Sequence, residues 1–316
     1  MSTFEKAAKR LEELRRAGVD VRVPEPVTAA VAPPQGEKSQ GTSRIDKGET
    51  APAIAKTQSV KRAPSVAVSN SRIKEATIDL ARMALAGFVT PTAVRSRIAD
   101  EFRVAKRPVL DNVRGNSEVP SGGMNLIMVT SALPGEGKTF TAINLAMSIA
   151  MELDSTVLLV DADVARPSML STLGLPPSPG LMDLLTNPSV GFSDVLIRTN
   201  VERLSLLPAG SPQEHATELL ASQAMGNLVQ ELSRRYADRV ILFDSPPLLP
   251  TTESRVLATH MGQIVMVVAA HSTTQGAVRQ AMVALKDCPV VMTILNKTVR
   301  SDVSSYYGYG SYGYAG

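Results

Sequence analysis

The sequence contains 316 residues, 44% of them hydrophobic and 20% charged, with a formal net charge of +3. This length predicts one or two domains, and the apolar content is ample for a buried core. The longest strongly apolar run, residues 264–270, is too short for a membrane helix of about 20 residues, and the charged start of the chain lacks the apolar segment of a signal peptide. We therefore expect a cytoplasmic protein.

The cysteine and histidine residues indicate neither a disulfide nor a metal site, and the distribution of charge indicates which partners are expected. Cys288 is the only cysteine, so no disulfide forms within the chain, and His215, His260 and His271 have no metal-ligand spacing. Residues 1–120 carry 21 Lys and Arg against 14 Asp and Glu, which fits a solvated tail, an anionic membrane surface or an acidic partner. Nucleic acid is not an expected partner, because the basic residues lack the interleaved aromatic residues that would stack on bases.

The first 70 residues are predicted to contain little fixed structure. Residues 1–17 read as a short amphipathic helix, since Ser2 and Glu5 have the spacing of a capping box. Residues 18–70 are rich in Pro, Ala and Ser and poor in large apolar side chains, so they are predicted to be a flexible, disordered linker.

Residues 71–120 are predicted to form a pair of helices. The first helix begins near residue 73 and stops at Gly87. The second covers about 93–106 and ends at Arg107-Pro108, because the residue before a proline disfavours the helical conformation. We expect this pair to pack on the following domain or to contact a neighbouring subunit.

Residues 121–300 alternate between strand and helix patterns, which is typical of an α/β fold with a mainly parallel sheet flanked by helices. Strands are predicted at 125–130, 156–160, 204–207, 239–243, 263–269 and 289–295. Helices are predicted at 138–152, 213–234, 252–259 and 274–286. Ligands bind beyond the carboxyl ends of the strands in such sheets, so the polar residues that follow the strands are functional candidates.

Residues 131–139 read Ser-Ala-Leu-Pro-Gly-Glu-Gly-Lys-Thr and lie between an apolar strand and a helix, the context of a phosphate-binding P-loop. Ala132 replaces the first glycine of the common pattern. Lys138 is expected to contact the β- and γ-phosphates of ATP, and the Thr139 hydroxyl to bind Mg²⁺. The residues expected to contact the nucleotide here are Pro134, Gly135, Glu136, Gly137, Lys138, Thr139 and Phe140.

Four polar residues follow predicted strands. Asp161 and Asp163 come after one strand, and Asp244, after another, has the position of an acid that binds Mg²⁺. Phosphoryl transfer to a hydroxyl also needs a carboxylate that orients the nucleophile or accepts its proton, and three acids meet both needs. The alternative is that Asp161 and Asp163 only start a turn and cap a helix. Asn296 follows the last strand and is expected to hydrogen-bond a purine edge, with a turn-forming role as the alternative.

The tail, residues 301–316, is predicted to be flexible because it is rich in glycine. It contains five of the six tyrosines in the sequence, which are Tyr306, Tyr307, Tyr309, Tyr312 and Tyr314. These are either stacking aromatics of a low-complexity segment or phosphate acceptors, and an adjacent ATP site with spare carboxylates favours acceptors.

Together these motifs resemble the bacterial tyrosine kinases (BY-kinases), the P-loop autokinases of exopolysaccharide loci. Segment 72–110 is similar to the exosortase-associated subgroup. The resemblance implies ATP-dependent autophosphorylation of the tail tyrosines, mostly between subunits of a homo-oligomeric ring. It implies that Lys138 and Thr139 hold phosphates and metal, that Asp161 and Asp163 serve the metal and the acceptor, and that Asp244 holds Mg²⁺.

The resemblance also implies partners and a location. A membrane chain-length or co-polymerase protein would activate the kinase at the inner face of the cell membrane. A tyrosine phosphatase would reverse the reaction, and cycles of phosphorylation would regulate polysaccharide export.

Two departures from the family pattern are visible. The family usually has arginine at the position of Ala165, and Arg166, one place later, is the candidate to take its role. The subunit-contact motif Glu-x-x-Arg-x-x-Arg is matched only by Asp100, Arg103 and Lys106.

Two other classes share parts of the pattern. A ParA/MinD-type positioning ATPase shares the fold, but Leu133 stands where that class has its signature lysine. An ATP-gated scaffold of a membrane exporter is the non-enzymatic alternative.

Overall fold

The computed structural model describes residues 74–93, 95–115 and 123–298. The predictions for residues 1–17, for the linker 18–70 and for the tail 301–316 therefore lie outside the described residues.

Eight strands form one sheet in the described part of the chain: β1 (Lys74–Ala76), β2 (Leu126–Ser131), β3 (Thr156–Asp161), β4 (Ile197–Thr199), β5 (Leu204–Leu207), β6 (Arg239–Asp244), β7 (Gln263–Ala269) and β8 (Val290–Asn296). Their spatial order is β1-β4-β5-β3-β6-β2-β7-β8. All neighbouring pairs are parallel except β4 and β5. The predicted mainly parallel sheet is confirmed.

Helices cover both faces of this sheet. The described residues form α1 (Leu80–Leu85), α2 (Arg97–Val113), α3 (Lys138–Ala150), α4 (Met169–Leu173), α5 (Leu181–Thr186), α6 (Phe192–Val195), α7 (Ala216–Leu220), α8 (Gln223–Arg235), α9 (Glu253–Ala258) and α10 (Gln275–Ala284). None of these described helices is both long and apolar enough to cross a membrane.

The apolar runs of the sequence form strands because they are buried on both faces of the sheet. In β2, Ile127 and Val129 pack into the core on one face, and Leu126 and Met128 pack into the core on the other. Burial on two sides explains why the central strands read as continuous apolar segments and not as alternating ones.

The structure corrects the first predicted helix. Residues 74–76 form the edge strand β1, paired with β4, and the helix begins only at Leu80, where Asp79 is the N-cap. Neither β1 nor β4 was predicted, since each has only three residues and is extended because of its partner strand.

The predicted end of the second helix is also wrong. Helix α2 begins after its N-cap Ser96 and continues through Pro108 to Val113. Pro108 removes one N–H donor, but Val109 and Leu110 beyond it are buried in the core. Burial of this last turn outweighs the local disfavour of the proline.

Two further predictions of helices are corrected. The single helix predicted over 213–234 is two helices, α7 and α8, because Ser222 caps the second by accepting a hydrogen bond from the backbone N–H of Met225. The short helices α4, α5 and α6 were not predicted, since four to six residues are too few for a periodic pattern.

We call α1, α2 and the segment between them the arm. The sequence left open whether this pair packs on the domain or on another subunit. Met83, Phe102 and Val109 of the arm belong to the same buried core as Ile143 and Leu145 of α3. The arm therefore packs on the domain that contains the sheet, along α3.

Candidate active site

The P-loop connects the end of β2 to the beginning of α3. Gly135 and Gly137 have φ angles of +80° and +97°, a left-handed conformation that favours glycine, and Gly137 is the N-cap of α3. Ala132, at the position of the usual first glycine, does not have a positive φ, so a side chain is tolerated there. The loop and the N-terminus of α3 have the geometry predicted from the sequence.

A buried carboxylate shapes the P-loop from inside. Glu136 is only 3% exposed, and its side chain accepts hydrogen bonds from the backbone N–H of Leu133, at 2.7 Å, and from the hydroxyl of Thr273 after β7. Its carboxylate thus holds the loop together, and a contact between Glu136 and the nucleotide stays a prediction.

Two residues at the end of β8 also support the loop. The side-chain N–H of Asn296 donates to the carbonyl of Glu136 at 2.9 Å, and Lys297 Nζ donates to the carbonyl of Gly135 at 2.7 Å. A Cβ atom at Gly137 would clash with the amide of Asn296. Asn296 therefore packs on the P-loop, and its predicted contact with a purine stays a prediction.

Lys138 and three carboxylates meet at the carboxyl ends of the central strands. Lys138 Nζ lies 2.5 Å from Asp163 Oδ2. Asp161 and Asp244 are register partners on β3 and β6. Asp161 also accepts a hydrogen bond from the backbone N–H of Met169 at 3.2 Å, so it stabilises the beginning of α4 as the alternative interpretation anticipated.

The charges of this cluster are only partly compensated. No residue in the described part of the chain forms a hydrogen bond with either carboxylate oxygen of Asp244. Burial raises the pKa of Asp244 to about 6, while the ammonium of Lys138 opposes the rise. Burial raises the pKa of Asp161 to about 7, and the charge of Asp244 adds to this effect. Buried carboxylates whose negative charge is only partly compensated attract a cation.

The oxygen donors at this position fit Mg²⁺. Thr139, Asp161 and Asp244 supply hard oxygen atoms, the ligands that Mg²⁺ prefers. Thr139 Oγ1 lies 3.2 Å from Ser168 Oγ, and the Thr139 hydroxyl opposes the rise in the pKa of Asp244. The described residues contain no group of three or more His, Cys, Asp or Glu side chains able to hold a metal. Phosphate and water would therefore supply the other ligands, as is usual for Mg²⁺.

A cavity of about 160 Å³ opens beside Asp161. Its walls are mainly apolar and include Leu170, Leu175, Pro177 and Pro208. An aromatic ring fits a cavity of this character.

Sequence reasoning missed three residues of the site, and two of its predictions have no test here. Thr273, Lys297 and Ser168 were not predicted, although their positions after β7, after β8 and at the start of α4 are the signal that would have found them. Arg166 is exposed, and its proposed replacement of the arginine missing at Ala165 stays a prediction. The predicted acceptor tyrosines lie outside the described residues.

The fold and the site together define a P-loop nucleotide-binding protein. Residues 124–289 match the family model of the AAA domain. The chain is 31% identical over 217 residues to the putative tyrosine-protein kinase EpsB of Ralstonia nicotianae, covering 66% of this chain and 28% of EpsB. It is 32% identical over 190 residues to the tyrosine-protein kinase YwqD of Bacillus subtilis, covering 60% of this chain and 78% of YwqD.

A solved structure supports the same assignment. The crystal structure of the chimerical protein CapA2B2 has a TM-score of 0.56 and 26% sequence identity, covering 69% of this chain and 98% of that one. The chain belongs to the AAA-domain family and to the bacterial tyrosine kinases, which confirms the resemblance seen in the sequence. It spans only 28% of the length of EpsB, so the substrates and partners of the whole protein are matters of proposal.

Proposed function

We propose that the chain is an ATP-dependent protein tyrosine autokinase that phosphorylates its own C-terminal tyrosine cluster, largely between subunits. The acceptors would be Tyr306, Tyr307, Tyr309, Tyr312 and Tyr314. The observation that carries the proposal is the convergence of Lys138 with Asp161, Asp163 and Asp244 at one edge of the sheet, in a chain of the tyrosine-kinase family.

The chemistry is an in-line transfer of the γ-phosphoryl group. The phenol oxygen of an acceptor forms a bond to the γ-phosphorus, the bond from that phosphorus to the β–γ bridging oxygen breaks, and ADP leaves. Lys138 and the N–H groups of the P-loop would bind the phosphates. The cavity beside Asp161 would receive the tyrosine ring.

The three carboxylates are assigned different tasks. Asp161 and Asp244, with Thr139, would hold Mg²⁺, which neutralises negative charge on the phosphates when bound. Asp163 would accept the proton of the phenol. Asp163 Oδ2 lies 2.5 Å from Lys138 Nζ, which would bind the transferred phosphate, and this proximity supports the assignment.

The biological setting is proposed from the family resemblance. The autokinase would regulate exopolysaccharide synthesis or export from the cytoplasm, at the inner face of the cell membrane. A membrane chain-length or co-polymerase protein would activate it, a tyrosine phosphatase would reset it, and the subunits would form a ring.

One part of the ring motif has another role in this structure. Lys106, matched above to the last arginine of the subunit-contact motif, is 6% exposed and is therefore not accessible to a neighbouring subunit. Asp100 and Arg103 form an ion pair on the exposed side of α2 and remain candidates for such a contact.

Radiolabelled ATP with Mg²⁺ and the purified full chain tests the proposal. Label on tyrosine is expected, and replacing all five tail tyrosines by Phe should remove most of it. Tyr236→Phe is the matched control and should leave the label unchanged, because Tyr236 is the one tyrosine outside the tail.

Other outcomes would identify another class. Release of free phosphate without labelled tyrosine would indicate a positioning ATPase, and the absence of both would indicate an ATP-gated scaffold. Label that persists after removal of the tail would contradict the acceptor assignment.

A further inference from the structure

One face of α3 is contacted by the arm on successive turns. Phe140, Asn144 and Ser148 recur every four residues, and Glu152 continues the row just beyond the end of the helix. Residues at this spacing lie above one another on one face. The front of the same helix begins at Lys138, in the P-loop.

The first two contacts lie near the P-loop. The ring of Phe88 packs on the ring of Phe140 with 4.9 Å between the centroids. The backbone N–H of Val89 donates to Asn144 Oδ1 at 2.6 Å, and Asn144 Nδ2 donates to the carbonyl of Phe140 at 2.8 Å. Asn144 is completely buried, so it links the arm to the first turn of α3 without competition from water.

The last contact lies at the other end of α3. Lys106 Nζ donates to the carbonyl of Ser148 at 2.6 Å and lies 2.5 Å from Glu152 Oε1. The hydrogen bond from Lys106 lowers the pKa of Glu152. A cation at this position also interacts favourably with the negative end of the helix dipole.

These polar contacts fix the position of the arm along α3 more narrowly than apolar packing would. A buried ammonium or backbone N–H that loses its partner is strongly destabilising, so a slide or rotation of α3 against the arm is resisted. Helix α3 has 13 residues without a proline and is about 20 Å long, so its hydrogen-bonded backbone connects its two ends directly. A displacement at its far end is therefore passed to the P-loop.

We propose that Lys106 and Asn144 are positioning residues, through which the arm holds α3 and with it Lys138 and Thr139 in the orientation that binds the phosphates of ATP. The proposal deepens the proposed function and rests only on its nucleotide-binding part. The catalytic carboxylates are not involved.

The test is the affinity of the full chain for a fluorescent ATP analogue with Mg²⁺, together with KM and kcat for ATP consumption. For Lys106→Met we expect Kd and KM to rise about tenfold, while kcat stays within about twofold of the wild-type value. Saturating ATP would return the loop to its working position, so the loss appears in KM. A merely structural role would reduce the amount of active protein and so lower kcat at unchanged KM.

Two variants serve as controls. Lys106→Arg keeps the cation and should stay within about threefold of the wild-type Kd. Lys286→Met makes the same chemical change at an exposed position after α10, and it should leave both constants unchanged. A folded Lys106→Met protein with unchanged Kd, or with lower kcat at unchanged KM, would overturn the proposal.

A second variant keeps the proposal testable if Lys106→Met does not fold. Asn144→Leu keeps the size of the side chain but removes the acceptor of the Val89 N–H, and we expect Kd to rise about threefold. An unchanged Kd for this variant would likewise contradict the proposal. Because the readout is ATP affinity, failure of tyrosine labelling would count against the proposed function and not against the role of the arm.

Discussion

Two sides of α3 differ in how their buried polar groups are paired. We call the end of the helix with Lys138, Asp161 and Asp244 the front, and the face that contacts the arm through Asn144 and Lys106 the flank. At the front, Asp244 is buried without a hydrogen-bond donor in the described part of the chain, and its pKa and that of Asp161 are raised. Along the flank, Asn144 and Lys106 are as deeply buried, but each has partners within 3 Å. The polar groups of the flank therefore have their partners within the protein, whereas the carboxylates of the front would be paired only by a bound cation. The comparison teaches that one side of α3 presents groups to a ligand, while the other side, whose polar groups are paired within the protein, holds the helix in position.

The largest expected effect comes from removing the cation at the front. Lys138→Met should weaken ATP binding and abolish tyrosine labelling, with a loss of about 100-fold or more, because the ammonium that would bind the β- and γ-phosphates is removed. Measured Kd values and label incorporation check this expectation. Wild-type labelling by the variant would remove Lys138 from the site.

The second prediction separates activity from stability. Asp244→Asn should reduce phosphoryl transfer about 100-fold, because the proposed ligand of Mg²⁺ is lost. In metal-free buffer at pH 8 it should raise the free energy of unfolding by about 1–3 kcal/mol, because a buried, uncompensated charge is removed. Urea denaturation with EDTA measures the second effect. Lower stability of the variant would show that the carboxylate has a donor that this structure lacks.

The third prediction concerns pH. In metal-free protein the pKa of Asp161 is raised from 3.8 to about 7, so between these values the native state binds more protons at this residue than the unfolded chain does. The stability contributed by Asp161 is therefore present at low pH and is lost as the pH rises through 7. The unfolding free energy of Asp161→Asn minus that of wild type should increase by about 2–4 kcal/mol from pH 4 to pH 7.5.

Denaturation at several pH values in EDTA tests this expectation. Saturating Mg²⁺ at pH 7.5 should stabilise the wild type more than the variant, because the metal binds the charged carboxylate. A difference that is constant with pH would contradict the burial argument.

The smallest effect is expected on the flank. Asn144→Leu leaves the N–H of Val89 buried without its acceptor, so the free energy of unfolding should fall by about 1–3 kcal/mol. The matched change at an exposed helical position, Asn227→Leu, should alter it by less than about 0.5 kcal/mol. Equal effects of the two changes would contradict the role of Asn144 as a buried hydrogen-bond acceptor on the flank.

Much of the front could be predicted from the sequence. The P-loop residues are adjacent in the chain, and the predicted strands that precede Asp161 and Asp244 place both acids at one edge because parallel strands share an edge. The positions of Thr273 and Lys297 after strands mark both as candidates, but their contacts with Glu136 and Gly135 of the P-loop could not be predicted. Those residues lie more than 130 positions away from the loop, and no local pattern pairs them with it.

Most of the contacts on the flank could not be predicted from the sequence. Lys106 reads as an exposed cation of an amphipathic helix, yet it is buried because Ser148 and Glu152 provide partners. Similarly, α2 continues past Pro108 because the side chain of Gln263 donates to the carbonyl of Val109, and Asn112 donates to Gln263.

By itself, the sequence determined the P-loop, the positions of the central strands along the chain and the carboxylates that follow them, because these depend on neighbouring residues and on the period of burial. Only the tertiary structure decided that β1 joins the sheet, that Lys106 is buried and that the arm forms hydrogen bonds with α3. Those features depend on contacts between residues distant in the chain, whose favourable free energy appears only after the chain has folded.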